Sequence, residues 1–123
     1  MANPSTGFGG AGTEVIRRSY LDGVGTSETT IITGVANHII TVLSIIIVNG
    51  VASSTDNYFQ LYVDADLGGT DIGLTWRMYC NDKDTFTWSD RFALTETDKL
   101  HIKGYGTSVE YDVWCTYIDQ QLA

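Results

Sequence analysis

Apolar residues recur with period two along nearly the whole chain, which is the pattern of strands that bury one face. Eight segments read as strands, at 14–21, 28–33, 38–49, 58–63, 71–80, 85–94, 99–103 and 109–118. Between them lie the residues that turns need: Asp22-Gly23-Val24-Gly25, Gly34, Asn49-Gly50, an Asp- and Gly-rich stretch from Asp64 to Thr70, and Asn81–Asp84. The alternation assigns inward faces. These are Phe59, Leu61 and Val63; Ile72, Leu74, Trp76, Met78 and Cys80; Phe86, Trp88, Phe92 and Leu94; Leu100 and Ile102; and Val109, Tyr111, Val113, Cys115 and Tyr117. No segment carries a helical period. Short strands at this spacing predict an all-β, single-domain antiparallel β-sandwich, jelly-roll-like, with a closed barrel as the alternative.

One segment breaks the alternation. His38–Asn49 is β-branched almost throughout and apolar on both parities, with Ile40, Val42, Ile46 and Val48 on one and Ile39, Leu43, Ile45 and Ile47 on the other. Such a strand is expected to be covered on both faces, either between two sheets of one domain or by a neighbouring subunit. The final strand also carries Trp114 and Ile118 on its outward parity.

Residues 1–13 are small, polar and glycine-rich, with Phe8 as their one large apolar side chain. They are expected to form a flexible arm that gains order on contact with a neighbour, ahead of a sandwich domain over 14–123. The arm lacks the basic and apolar regions of a secretory signal, and the longest apolar run is too short to span a bilayer as a helix. The expectation is a soluble protein made in a cytoplasm, with no membrane partner.

Charge narrows the partners. The chain has 7 Lys and Arg against 15 Asp and Glu, a formal net charge of −8, and no basic stripe. Nucleic acid is therefore not expected as a partner, because phosphate contacts need clustered cations. Catalysis finds no footing either. Ser44, His38 and His101 sit in no recognised nucleophile context, and each histidine reads as a surface or structural residue. The loop from Asp64 to Asp71 holds three carboxylates but fails the spacing of a calcium-binding loop, so a plain hairpin connection is the better reading and cation binding stays open. Cys80 and Cys115 are far apart, with no His or Cys at metal spacing, and read as two buried free thiols, with a cross-strand disulfide as the other reading. No cofactor is implied. Three tryptophans and seven tyrosines raise carbohydrate stacking, but Trp76 and Trp88 share parity with aliphatic core residues. Only Trp114, with Tyr20, Tyr62 and Tyr79, is expected to face out.

The order of motifs carries a resemblance. T-G-F-G-G-A-G-T-E-V opens the chain, followed by I-T-G-V-A-N-H-I-I-T-V-L-S-I-I-I-V-N and F-Q-L-Y-V-D. T-F-T-W-S-D-R-F-A-L-T-E-T-D-K-L-H-I-K-G and a closing Y-D-V-W-C-T-Y-I-D-Q-Q complete it. Over residues 6–121 this layout resembles small virion structural proteins of tailed bacteriophages. The resemblance implies a β-sandwich module without enzymatic activity, assembled in the bacterial host cytoplasm and carried on the virion. As a head decoration or cement protein it would form a homo-oligomer, with a trimer favoured, and bind the major capsid protein or other virion proteins. A neck, tail or fibre-attachment role is the alternative, and a carbohydrate-binding module for host attachment another. The residues expected to meet partners are Phe8, Arg17, Arg18, Trp114 and Ile118. Arg17 and Arg18, being adjacent, should point to opposite faces of their strand.

Overall fold

A computed structural model describes residues 13–50, 57–80 and 83–122. Among them are nine strands and no helix: β1 (Thr13–Val24), β2 (Thr29–Thr33), β3 (His38–Asn49), β4 (Tyr58–Ala65), β5 (Thr70–Tyr79), β6 (Thr85–Trp88), β7 (Phe92–Leu94), β8 (Lys99–Tyr105) and β9 (Tyr111–Gln121). They form two antiparallel sheets, a β-sandwich as the alternation predicts. The first runs β1-β9-β3-β6, with β7 also paired to β3; the second runs β2-β8-β4-β5. The chain crosses repeatedly from one sheet to the other, so each sheet is built from strands distant in sequence. The core lies between the sheets. Val42, Ile45, Ile47, Phe59, Leu61, Leu100, Ile102, Tyr111 and Cys115 are all fully enclosed there. The Phe59 ring meets Phe86 and Tyr111 edge-on, at centroid distances of 5.2 and 5.5 Å.

The doubly apolar run is β3, and its mixed parity has a local cause. Val42 pairs with Tyr117 and Ser44 with Thr116, so Leu43 is an additional residue on β3. This β-bulge shifts the phase of the strand. Ile40 and Val42 point inward before it; Ile45, Ile47 and Asn49 point inward after it. The grouping of Ile46 and Val48 with Ile40 and Val42 is thereby corrected. Ile46 and Val48 lie on the outer face, and no strand among the described residues covers them.

The same bulge explains a second correction. The segment at 85–94 is two strands rather than one. β6 pairs with Ile45–Val48 and β7 with Ile40–Val42, on either side of the bulge. The chain breaks between them at Ser89–Arg91, where the indole Nε1 of Trp88 donates to the Asp90 carbonyl at 2.7 Å.

A third correction concerns β5. Its pairing with β4 slips twice: Met78 lies opposite Phe59, Thr75 opposite Leu61 and Gly73 opposite Tyr62. The slips throw Trp76 out of the core phase, and it is 51% exposed. Its ring stacks on Tyr62 at 6.0 Å and lies across Gly73, where a Cβ would meet the indole at 2.0 Å. Only glycine leaves room there. Ile72, on the same edge strand, is also exposed rather than inward, while Leu74 and Met78 pack against the core and Cys80 is buried.

Candidate protein interface

The outer face of the first sheet carries a cluster of exposed apolar side chains among the described residues. Strand register sets it out in rows across β1, β9 and β3. Tyr20, Trp114 and Ile46 form one row, Arg18, Thr116 and Ser44 the next, and Ile16, Ile118 and Thr41 the third. Ile16 and Tyr20 are each 60% exposed, Trp114 44% and Ile46 38%. The Tyr20 and Trp114 rings stack at 5.9 Å with an interplanar angle of 18°. The Arg18 guanidinium lies over both, 5.4 Å from the Tyr20 centroid and 4.9 Å from that of Trp114. Beside this row a hollow of about 330 Å³ opens between Tyr20, Ile46, Val48 and Trp114, with Asp22 and Asp112 at its rim. Asp112 is tied to its own chain by accepting the Gly23 N–H at 3.0 Å.

Of the residues expected to meet partners, Arg18, Trp114 and Ile118 come together on this face. Arg17 does not. It points to the inner side, as adjacency to Arg18 requires, and donates to Asp119 at 2.9 Å. The other Asp119 oxygen takes a hydrogen bond from His38 Nδ1 at 2.5 Å. That carboxylate is 11% exposed, so the Arg17 ion pair and the His38 hydrogen bond compensate a nearly buried charge near the end of β9. Both brace Asp119, and half of the Arg17 side chain remains exposed. Phe8 lies outside the described residues.

Ile16, Tyr20 and Ile46 complete the face and were not among the expected partner residues. Ile16 and Tyr20 share parity with Arg18, a signal that was legible. Ile46 was hidden by the bulge. The face is poorly suited to stacking a sugar on Trp114, because Arg18 already covers the ring pair and would have to be displaced.

The second sheet's outer face mixes polar groups with aromatic rings, and Ile72, Trp76 and Tyr79 are exposed on its edge strand. His101 is buried although it points outward; Nδ1 hydrogen-bonds with Thr30 Oγ1 at 3.0 Å, and Nε2 lies 3.7 Å from both Glu28 and Asp64. The Tyr62 hydroxyl donates to Glu28. Burial first, and then the Glu28 carboxylate, raise that phenol above its ordinary range. Tyr58 stacks on Tyr105 at 4.8 Å beneath Arg77, 4.9 Å from its centroid.

Among the described residues no three His, Cys, Asp or Glu are placed to hold a metal ion. Asp64 and Asp71 are paired within β4 and β5, and the hairpin connection is the shorter segment 66–69, with Asp66, Leu67 and Gly68 at positive φ. Cys80 and Cys115 are free and buried. Desolvation pushes the Cys115 thiol up to about 12, and burial also raises Cys80. Neither is an activated nucleophile.

No family profile and no curated protein matches the chain. Among solved structures it is similar to a chain of Bacillus endospore appendages, a family of disulfide-linked pili, with a TM-score of 0.50 and 16% identity, covering 98% of this chain and 99% of that one. It also has weaker likenesses. One is to a structure of the infectious bursal disease virus Gx strain, with a TM-score of 0.44 and 8% identity over 88% of this chain and 37% of that one. Another is to Eiger TNF from S. frugiperda, with a TM-score of 0.40 and 7% identity over 88% and 92%. At these identities the first likeness is one of fold, a two-sheet β architecture matched from end to end.

Proposed function

We propose that this protein is a non-enzymatic structural subunit that works by assembling with other protein surfaces. The carrying observation is the Tyr20–Trp114–Ile46 row, an aromatic and aliphatic stripe exposed among the described residues on a sheet whose other face packs the core. Contiguous exposed apolar surface of this kind marks protein contact.

The station on which it assembles is a tailed-phage virion, with head decoration as the leading role and the neck, tail or fibre attachment as the alternative. The motif order described above supports this reading. A second reading is a subunit of a surface fibre, favoured by the end-to-end likeness to a pilus subunit. A fibre of this chain would differ from the disulfide-linked kind, since its only two cysteines are buried at 2% and 0% exposure. It would hold together without covalent links.

Particle reconstruction and negative-stain imaging of the purified protein separate these. Many copies over the phage head support decoration. Copies confined to the portal-to-tail axis move the protein to the neck or tail. Filaments formed by the protein alone, unaffected by reductant, favour the fibre. A protein that is found on no particle and stays unassembled at high concentration overturns the structural-subunit reading.

A further inference from the structure

We infer that the hollow beside the Tyr20–Trp114 ring pair receives a lysine side chain of a different protein. The site presupposes the assembly reading above and gives the partner its chemistry.

The hollow has an apolar floor, one aromatic side and one acidic side. Tyr20 and Asp22 line it from β1, Trp114 and Asp112 from β9, and Ile46 and Val48 from β3. Each pair is two residues apart, so at ~3.3 Å per residue the ring row and the acid row are separated by about 6.6 Å, room for one extended aliphatic stem. A bulge sets up the acidic side. Leu21 lies opposite Val113 and Val24 opposite Tyr111, so Asp22 and Gly23 together face Asp112. Asp112 holds this bulge by accepting the Gly23 N–H at 3.0 Å, and Gly23 takes a φ of 73°. A β1 carboxylate is thereby placed beside a β9 carboxylate at the same end of the hollow.

Charge selects the occupant. Two of the residues lining the hollow are charged, and both are carboxylates. Neither forms an ion pair among the described residues. Arg18 lies over the two rings but does not line the hollow, so its guanidinium meets them from the side away from Asp22 and Asp112. The other side of the ring pair is open to a second cation. The side chain that fits carries an apolar stem for Ile46 and Val48 and a positive head for the two carboxylates. Lysine suits it better than arginine. One Asp112 oxygen is committed to Gly23, so that carboxylate cannot take a guanidinium bidentately, whereas an ammonium needs only single contacts from several acceptors. A second copy of this chain is a poor source of the lysine, because it carries 15 acidic against 7 basic residues and like-charged surfaces repel. A free amine would leave Ile16 and the rest of the apolar row uncovered; a protein that delivers the lysine covers them with the same surface.

The test uses the full chain and the peptide acetyl-Ala-Leu-Lys-Leu-Ala-amide, with counterparts in which the lysine is acetylated on Nζ or replaced by arginine. NMR titration should shift the Ile46 and Val48 methyls and the Trp114 indole. The lysine peptide should bind about fivefold more tightly than the acetylated one, and more tightly than the arginine one. Asp22→Asn combined with Asp112→Asn, whose amide oxygen still accepts from Gly23, should bring the lysine peptide down to the affinity of the acetylated one, with an unchanged far-UV spectrum. Salt at about 0.5 M should narrow the difference. Equal affinities of lysine and acetyl-lysine peptides, tighter binding of the arginine peptide, or no shift at the hollow up to about 10 mM peptide would overturn the inference. So would self-association of the chain that the double variant abolishes, since the occupant would then be a second copy. A protein that joins a particle or fibre without any lysine preference keeps the assembly reading and overturns this one. A lysine preference in a protein that joins neither keeps the site and removes the assembly role.

Discussion

Ile45 and Ile46 are adjacent and chemically identical, and the bulge at Leu43 places them oppositely. Ile45 is fully enclosed between the sheets, while Ile46 is 38% exposed on the outer face. Truncation to alanine removes the same carbons at each site. At Ile45 the lost transfer free energy, ~0.8 kcal/mol per methylene, is joined by a cavity that close-packed neighbours cannot fill, for a total of about 3–4 kcal/mol. At Ile46 solvent fills the gap, and the loss should be about 1 kcal/mol or less. In a domain of this size ~1 kcal/mol moves Tm by about 4–5 °C. Ile45→Ala should therefore lower Tm by about 12–20 °C, and Ile46→Ala by no more than about 5 °C. Urea and thermal unfolding followed by tryptophan fluorescence, at concentrations low enough to keep the chain monomeric, read both. Equal losses, or a larger loss at Ile46, would refute the bulge, because an unbroken β3 would hold Ile46 in phase with Ile40 and Val42.

Other perturbations test other parts of the structure. Gly73→Ala should push the Trp76 indole off Tyr62, costing about 1–3 kcal/mol and red-shifting the fluorescence; an unchanged spectrum would mean that Trp76 does not lie across Gly73. Cys115 and Tyr111 are both held at about 12 by burial, above their ordinary values of 9.0 and 10.0. A raised folded-state value stabilises the protein below the unfolded value and is lost above it, so Tm should fall as pH climbs from about 9 towards 12. Cys115→Ala should make that fall shallower, and a Tm flat to pH 11 would contradict the burial. Neither thiol should react with a disulfide reagent at pH 8 in the native state, and both should react in urea. Asp119→Ala leaves Arg17 and His38 facing each other without their carboxylate and should destabilise by about 1–3 kcal/mol; a neutral outcome would show the clamp to be solvent-screened. Deletion of residues 2–12 should leave the sandwich folded and weaken particle binding, with equal binding arguing against an arm that clamps a neighbour.

The sandwich was legible in the sequence because its evidence is local. Alternation in β4, β8 and β9 marks Phe59, Leu61, Leu100, Ile102, Val113 and Cys115 as core, and each is buried. What failed were the phases of β3 and β5. A bulge inserts one residue and reverses every side chain beyond it, and nothing in H-I-I-T-V-L-S-I-I-I-V-N marks Leu43 as that residue. In β5 the slips opposite Leu61 are equally silent, although Gly73 within an apolar strand was a cue that something approaches the backbone closely. The interface was half legible. Trp114, Ile118 and Arg18 could be placed on outward parities from their own strands. Their meeting with Ile46, Ile16 and Tyr20 depends on β9 lying between β1 and β3, a non-local pairing that no local pattern contains.

The bulge also joins the core to the interface. A β3 without it would point Ile46 and Val48 inward and Ile45 and Ile47 outward, still presenting two isoleucines or an isoleucine and a valine to each side. Either phase would satisfy the hydrophobic demand of the core. The phase is decided by what flanks the run: Asn49 must point inward, where its amide donates to the Cys80 carbonyl at 2.9 Å, while Ile40 and Val42 must point inward beside Leu94 and Phe92. Asn49 lies nine positions after Ile40, an odd number, so both can face the core only if one residue is inserted between them. The doubly apolar character of the run is what lets the insertion occur without burying a polar side chain. Its consequence is an outer face that stays apolar beyond the bulge, at Ile46 and Val48, next to Trp114. An asparagine anchor in the core and an exposed apolar row on the sheet's other side are thus two results of one inserted residue.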